Sequence, residues 1–211
     1  MRLRHLLSAC LMTLAVATAG GASAAADVTG AKSFVEREHG KLKGLVDKDA
    51  SADRVKQAID GMLDYDELAR RTLGNPCPVG IPSCTNHWDQ LTPEQRAEVT
   101  GLLRQLVEAN LRKNVRKTKN YEVSYTGSKE VGSLMKVRTM AKAKDKPREP
   151  PVQIDYMILG NGDAYRVVDV MSEGSSMTKN YYTQFHKMLT TPGQGYPYVV
   201  KKLREKVAKS G

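Results

Sequence analysis

PVQIDYMILGNGDAYRVVDVMSEGSSMTKNYYTQF, residues 151–185, alternates apolar and polar side chains twice. Ile154, Tyr156 and Ile158 alternate with Gln153 and Asp155, and Val168 and Val170 alternate with Val167 and Asp169. A period of two is the signature of a strand with one buried face, and a glycine-containing turn joins the two runs as antiparallel neighbours. A Gly- and Ser-rich elbow follows, and Met177, Tyr181 and Phe185 then recur at helical spacing. A last strand that hands over to a helix lying across its own sheet encloses a pocket. No residue in the stretch looks like a nucleophile or a metal ligand, so what that pocket holds becomes the first question.

Towards the N-terminus the same period continues. Tyr121, Val123 and Tyr125 alternate with Glu122 and Ser124, and Met135, Val137 and Thr139 with Lys136 and Arg138. These four strands share one apolar and one mostly polar face, which predicts an antiparallel meander covered on one side. AKAKDKPREPP, residues 141–151, has no periodicity and ends in prolines, and reads as a hairpin loop. Before the strands the period is helical. Val28, Ala31, Val35, Leu42, Leu45 and Val46 mark a first helix, and Val55, Ile59, Met62 and Leu63 a second that Ser51 or Asp53 caps. Asp64 to Glu67 is a capping pattern before a short third helix. Thr92-Pro93-Glu94-Gln95 is a capping box with proline at the first helical position, opening a long helix with Val99, Leu102, Leu103, Leu106, Val107 and Leu111 on its apolar face. The expected class is α+β: helical over 27–119, a four-stranded sheet over 120–172, and C-terminal helices over 177–208.

The N-terminus predicts export. Arg2 and Arg4 precede the apolar stretch LLSACLMTLAVATA, too short for a comfortable span, and Ala22-Ser23-Ala24 is a small-x-small cleavage signal. Residues 1–24 are therefore expected to be a signal peptide, and 25–211 a single mature domain in the periplasm. Leu7-Ser8-Ala9-Cys10 resembles a lipoprotein box, but processing there would leave almost no apolar stretch before the cysteine. Removing Arg2 and Arg4 leaves 31 basic residues against 23 acidic ones, a formal charge of +8. Outside the cytoplasm such a charge meets anionic lipid or acidic protein faces rather than nucleic acid, or merely solubilises the chain. Cys77 and Cys84 bracket CPVGIPSC, and in an oxidising compartment they are expected to pair.

Catalytic constellations are missing. His39, His87 and His186 are far apart with no ligand-type spacing, and no G-x-S-x-G or H-E-x-x-H motif occurs. Asp155 and Asp169 are conceivable as a dyad of a hydrolase or isomerase. Their parity places them on the polar face of the sheet, away from the apolar environment that raises a carboxyl pKa. The expectation is a protein that is not an enzyme and has no metal or cofactor.

LARRTLG (68–74), HWDQLTPEQRAEVTGLLRQLVEANLRK (87–113), PVQIDYMIL (151–159) and YRVVDVMSEGSSMTKNYYTQF (165–185) together resemble the MlaC, or toluene-tolerance, family of periplasmic phospholipid-binding proteins. The resemblance spans nearly the whole mature chain. It implies helices wrapping a strongly curved sheet, related to the NTF2-like cone, with acyl chains between the layers. It also implies a monomeric, non-catalytic shuttle carrying phospholipid between an outer-membrane lipoprotein complex and an inner-membrane ABC transporter. A related branch associates with hopanoids, so a polycyclic cargo is the alternative. The chain departs from the family pattern in NPCPVGIPSCTN (75–86), which reads as a stapled insertion, and in Tyr165, Ser176 and Met177, where tryptophan and aliphatic residues are usual.

The lipid-lining set expected from strand parity and the covering helices is Leu103, Val107, Val123, Tyr125, Val137, Ile154, Tyr156, Ile158, Val168, Val170 and Tyr181. Singly each reads as an ordinary core residue; only the set, on one concave face, points to a cavity. Arg112, Lys113 and Arg116 close the long helix, where its dipole favours cations, and are candidates for contact with a headgroup or a partner.

Overall fold

A computed structural model describes residues 27–210 of the chain, with the side chain of Lys113 excepted. The expected signal peptide, residues 1–24, lies outside the described residues. Helix α1 (Val28–Asp47) starts where the Asp27 side chain accepts from the Gly30 amide at 2.8 Å. Helix α2 (Ala52–Met62) follows Ser51, whose side chain, contrary to expectation, makes no capping hydrogen bond, and α3 (Tyr65–Thr72) follows Asp64, whose carboxylate accepts from the Glu67 amide at 2.9 Å. Helix α4 (Pro93–Val115) opens on the expected capping box: Gln95 N–H donates to the Thr92 hydroxyl and the Gln95 side chain accepts from the Thr92 amide. Each cap satisfies amides that the first helical turn leaves without partners.

The sheet runs β1 (Tyr121–Val131), β2 (Leu134–Ala143), β3 (Val152–Leu159), β4 (Arg166–Ser172) and β5 (Ser175–Ser176), each antiparallel to its neighbour in chain order. It has five strands rather than four, because the elbow after β4 pairs Ser175 and Ser176 back onto Ser172 and Met171. Two expectations about local structure are corrected. Ala141 to Ala143, read as the start of a loop, prolong β2 opposite Tyr121 to Val123, since cross-strand pairing overrides their weak local pattern. Val168 does not share a face with Val170. The register shifts between Met157 and Ile158, so Val167 takes the place opposite Ile158 while Val168 packs with Leu134 and Met157 on the other side. An extra residue in one strand turns the side chains beyond it to the opposite face.

Helices α5 (Met177–Thr190) and α6 (Gly195–Ser210) complete the chain. The apolar core has two main parts. One lies between the sheet and α1, α2 and the inward side of α4, and includes Phe34, Val35, Ile59, Val107, Met135, Val137, Ile158 and Val167. The other joins α3, α4, α5 and α6 through Leu73, Val99, Leu103, Phe185, Val199 and Leu203.

Cys77 and Cys84 are joined in a disulfide with Cα atoms 5.8 Å apart. The closed loop is held to the body where the Tyr182 hydroxyl accepts from the Thr85 amide at 2.8 Å and where Lys179 Nζ donates to the Val79 carbonyl at 3.2 Å. Reduction is expected to lower unfolding stability by about 2–3 kcal/mol, the loop-closure entropy returned to the unfolded chain. Urea unfolding with and without reductant measures it, and an unchanged midpoint would refute it.

Candidate functional site

The inner face of the sheet is built by the register. Tyr125 stands opposite Thr139, Thr139 opposite Ile154, Val137 opposite Tyr156, and Tyr156 opposite Val170. Val123 pairs with Ala141 and Ile158 with Met135 on the same face. One of its few polar groups is neutralised internally, since the Thr139 hydroxyl donates to the Ile154 carbonyl at 2.9 Å. Helices α1 and α4 cover this face.

The cover is incomplete. Tyr156 lies on the central strand β3 and Val170 opposite it on β4, yet both keep part of their surface accessible, as do Tyr125, Leu42, Leu45, Leu111, Val115 and Met177 around them. Well-packed interiors leave few voids between such residues. These partly covered apolar side chains form a candidate slot between the sheet and the C-terminal halves of α1 and α4.

The structure brings together most of the expected lining: Tyr125, Val137, Ile154, Tyr156, Ile158 and Val170, with Val107 from α4. Val123 continues the face towards the start of β1. Leu103 and Tyr181 sit elsewhere, in the cluster joining α4, α5 and α6. Met135, Val167, Leu42, Leu45, Leu111 and Val115 were not expected to take part. Arg112 and Arg116 are exposed. Arg112 borders a separate groove of about 230 Å³ among α2, α4 and α6, together with Lys56, Ile59, Gln105, Glu108 and Ala109.

The search for ligand-type spacing missed a polar group on this face. His39 of α1 lies over the sheet, its Nδ1 2.9 Å from the Tyr125 hydroxyl and its ring edge-on to Tyr156 with centroids 4.9 Å apart. The signal was there, because His39 continues the stripe of Val35, Leu42 and Val46 at spacings of four, three and four. Burial pushes the imidazole pKa down to about 4. Burial also raises the phenols, Tyr125 to about 12 with help from the charge of Glu36, and Tyr156 further still. All three groups are neutral at pH 7.

This has a consequence for stability. The unfolded chain takes a proton on this histidine near pH 6.5, the folded protein only near 4. Between those values the unfolded state binds more protons, so stability falls as pH is lowered, by up to about 1.4 kcal/mol per pH unit from this one group. Denaturation curves at pH 7 and 5 should show the loss, and His39→Gln should shrink it. The His39 C2 proton resonance, assigned by its absence from His39→Gln, titrating near 6.5 in the folded protein would contradict the assignment.

Asp155 and Asp169 do lie on the opposite face, but they are buried rather than solvated. Burial raises the Asp155 pKa, yet hydrogen bonds and charge from Arg138 and Lys136, each at 3.1 Å, outweigh it and hold the carboxyl below its usual range. Asp169 accepts from the Val170 and Thr178 amides at 2.9 and 3.0 Å and from the Ser176 hydroxyl at 2.5 Å. Both carboxylates are committed to structure. The structure also joins the two other described histidines, His87 Nε2 and His186 Nδ1, at 2.9 Å. Among the described residues no group of three or more His, Cys, Asp or Glu side chains is placed to hold a metal ion, and no helix is long and apolar enough to cross a membrane.

The sequence model of the MlaC protein family matches residues 36–205. The chain belongs to the MlaC family. A search among curated proteins gives no match. Among solved structures, a phospholipid-binding protein from Ralstonia solanacearum, in complex with a phospholipid, is similar with a TM-score of 0.66 and 20% identity over 87% of this chain and 97% of that one. At that identity the likeness is one of fold. The MlaC match takes in α2 to α5 entire with the sheet between, and most of α1 and α6, so every wall of the slot belongs to the family region.

Proposed function

We propose that this protein is a non-catalytic carrier that holds a phospholipid with its acyl chains in the slot between the sheet and helices α1 and α4. The observation that carries the reading is an apolar sheet face left partly uncovered on its central strands, in a chain of the MlaC family. The phospholipid complex of the Ralstonia protein supports it. Each methylene withdrawn from water contributes about 0.8 kcal/mol, so two long chains need an enclosed slot, which a surface groove does not provide. The headgroup stays outside, where the mature chain's positive charge and the basic end of α4, Arg112, Lys113 and Arg116, favour its phosphate. Export to the periplasm, supported by the disulfide, and exchange of lipid between an outer-membrane lipoprotein complex and an inner-membrane ABC transporter complete the proposal, with the monomer as the carrying species. No cofactor is called for.

Native mass spectrometry of the gently purified mature protein is expected to show a bound phospholipid. Folded protein that is consistently empty would overturn the reading, and a polycyclic mass would redirect it to a hopanoid-like cargo. Val170→Trp places an indole against Tyr156 at the open part of the slot. It is expected to cut lipid occupancy about tenfold or more while the fold, followed by circular dichroism, persists. Unchanged occupancy would move the chains away from this face.

A further inference from the structure

We propose that His39, Tyr125 and Tyr156 form a hydrogen-bonding subsite within the slot that takes the acyl-ester carbonyls of a glycerolipid. The inference rests on the lipid-carrier reading and adds a rule for which part of the lipid sits where.

Counting hydrogens gives the chemistry. A neutral imidazole carries one N–H and a neutral tyrosine one O–H. The 2.9 Å bond between His39 Nδ1 and the Tyr125 hydroxyl consumes one of the two donors. The other is left over whichever tautomer is present: His39 Nε2–H if the phenol donates, the Tyr125 O–H if the imidazole does. Tyr156 adds a third. Its hydroxyl has no hydrogen-bond partner among the described residues, and it is not one of the sealed unpartnered atoms, which among those residues are on Glu67 and Arg71. It therefore keeps accessible surface, on the face of the sheet that His39 covers.

Two spare donors in an apolar recess are costly to leave unmade, and a ligand that supplies acceptors removes the cost. The acceptors that fit are neutral. A phosphate or carboxylate in that recess would need a cation, and the imidazole is neutral at pH 7. A diacylglycerol unit offers two ester carbonyls at the junction of chains and headgroup. Seating them here would send the chains along Val137, Ile158 and Val170 and leave the headgroup outside. A purely hydrocarbon polycycle would leave the donors dry.

The test compares delipidated wild-type protein binding a diester and a diether phosphatidylglycerol of equal chain length. The diether lacks only the carbonyls. The expected result is a fivefold or greater preference for the diester, with the carbonyl infrared band of a ¹³C-labelled lipid moving to lower frequency on binding. Tyr125→Phe with Tyr156→Phe should bring the ratio towards one, and its melting temperature reports whether it folds. Equal affinity of the wild type for both lipids, or an unmoved carbonyl band, overturns the subsite while leaving the carrier reading intact. Failure to bind either lipid overturns both.

Discussion

Asp169→Ala is expected to destabilise the protein by about 3 kcal/mol and to loosen α5 from the sheet. The Asp169 carboxylate is buried in the middle of β4 and accepts hydrogen bonds from the Thr178 amide at 3.0 Å and the Ser176 hydroxyl at 2.5 Å, as well as from the Val170 amide. The Ser176 hydroxyl in turn accepts from the Lys179 amide at 3.0 Å, so one carboxylate fixes both the first turn of α5 and the residue that caps it. Hydrogen bonds to a charged group contribute about 1.5–3 kcal/mol each, and an amide stripped of its partner in a buried position adds its own desolvation cost. Alanine removes all three bonds together. Asparagine keeps an acceptor of the same size and should recover about half of the loss. Denaturant unfolding gives the magnitude, and amide hydrogen exchange locates it: protection should drop first at Thr178 and Lys179. Alanine and asparagine variants of equal stability would show that the carboxylate is not the joint.

Gly74→Val is expected to cost about 3–5 kcal/mol or to prevent folding at 37 °C. Gly74 follows α3 with φ of +85°, a region that a β-branched residue enters only with strain. Strain alone would cost about 1–3 kcal/mol. Space is also lacking: a Cβ there would overlap the Thr85 carbonyl oxygen and come within 2.8 Å of Cε2 of Tyr182. The Thr85 oxygen is backbone, fixed on one side by the disulfide loop and on the other by the pairing of His87 with Leu73, whose carbonyl accepts from the His87 amide at 2.8 Å. It cannot swing away as a flexible side chain would. Gly74→Ala should be milder but still destabilising, and Gly61→Ala, on the exposed side of α2 with no atom near the new methyl, should be neutral or stabilising by a few tenths of a kcal/mol or more. Thermal melts of the three variants form the comparison; similar losses in all three would remove the steric argument.

The helix starts were legible because their causes are local. Asp64 and Thr92 sit at positions where a side-chain oxygen satisfies an amide three residues on, and the chain shows the donor and the acceptor within one turn; Asp27 and Ser176 cap α1 and α5 in the same way, though the sequence reading did not single them out. The inner face of β2 and β3 was equally legible, since Val137, Ile154, Tyr156 and Ile158 keep strict alternation. Alternation failed at Val168, which adjoins Val167 with no polar residue between them to mark the extra position, and only the pairing with β3 shows which valine turns inward. It also misjudged the aspartates. Their face was right, but Asp155 is buried because Lys136 and Arg138 from the neighbouring strand close over it.

By itself the sequence determined the class of the fold, the order of its elements, the apolar face of the sheet and the staple between Cys77 and Cys84. All of these rest on periods, caps and pairings that span a few residues. Only the tertiary structure decided that His39 meets Tyr125 across 86 residues, that His87 meets His186 across 99, and that Leu103 and Tyr181 face the second core rather than the slot. Those outcomes depend on how helices are rotated and set over the sheet, which follows from packing the whole set of side chains at once. Residue periodicity assigns a side chain to a face; the partner opposite that face is fixed only when the layers come together.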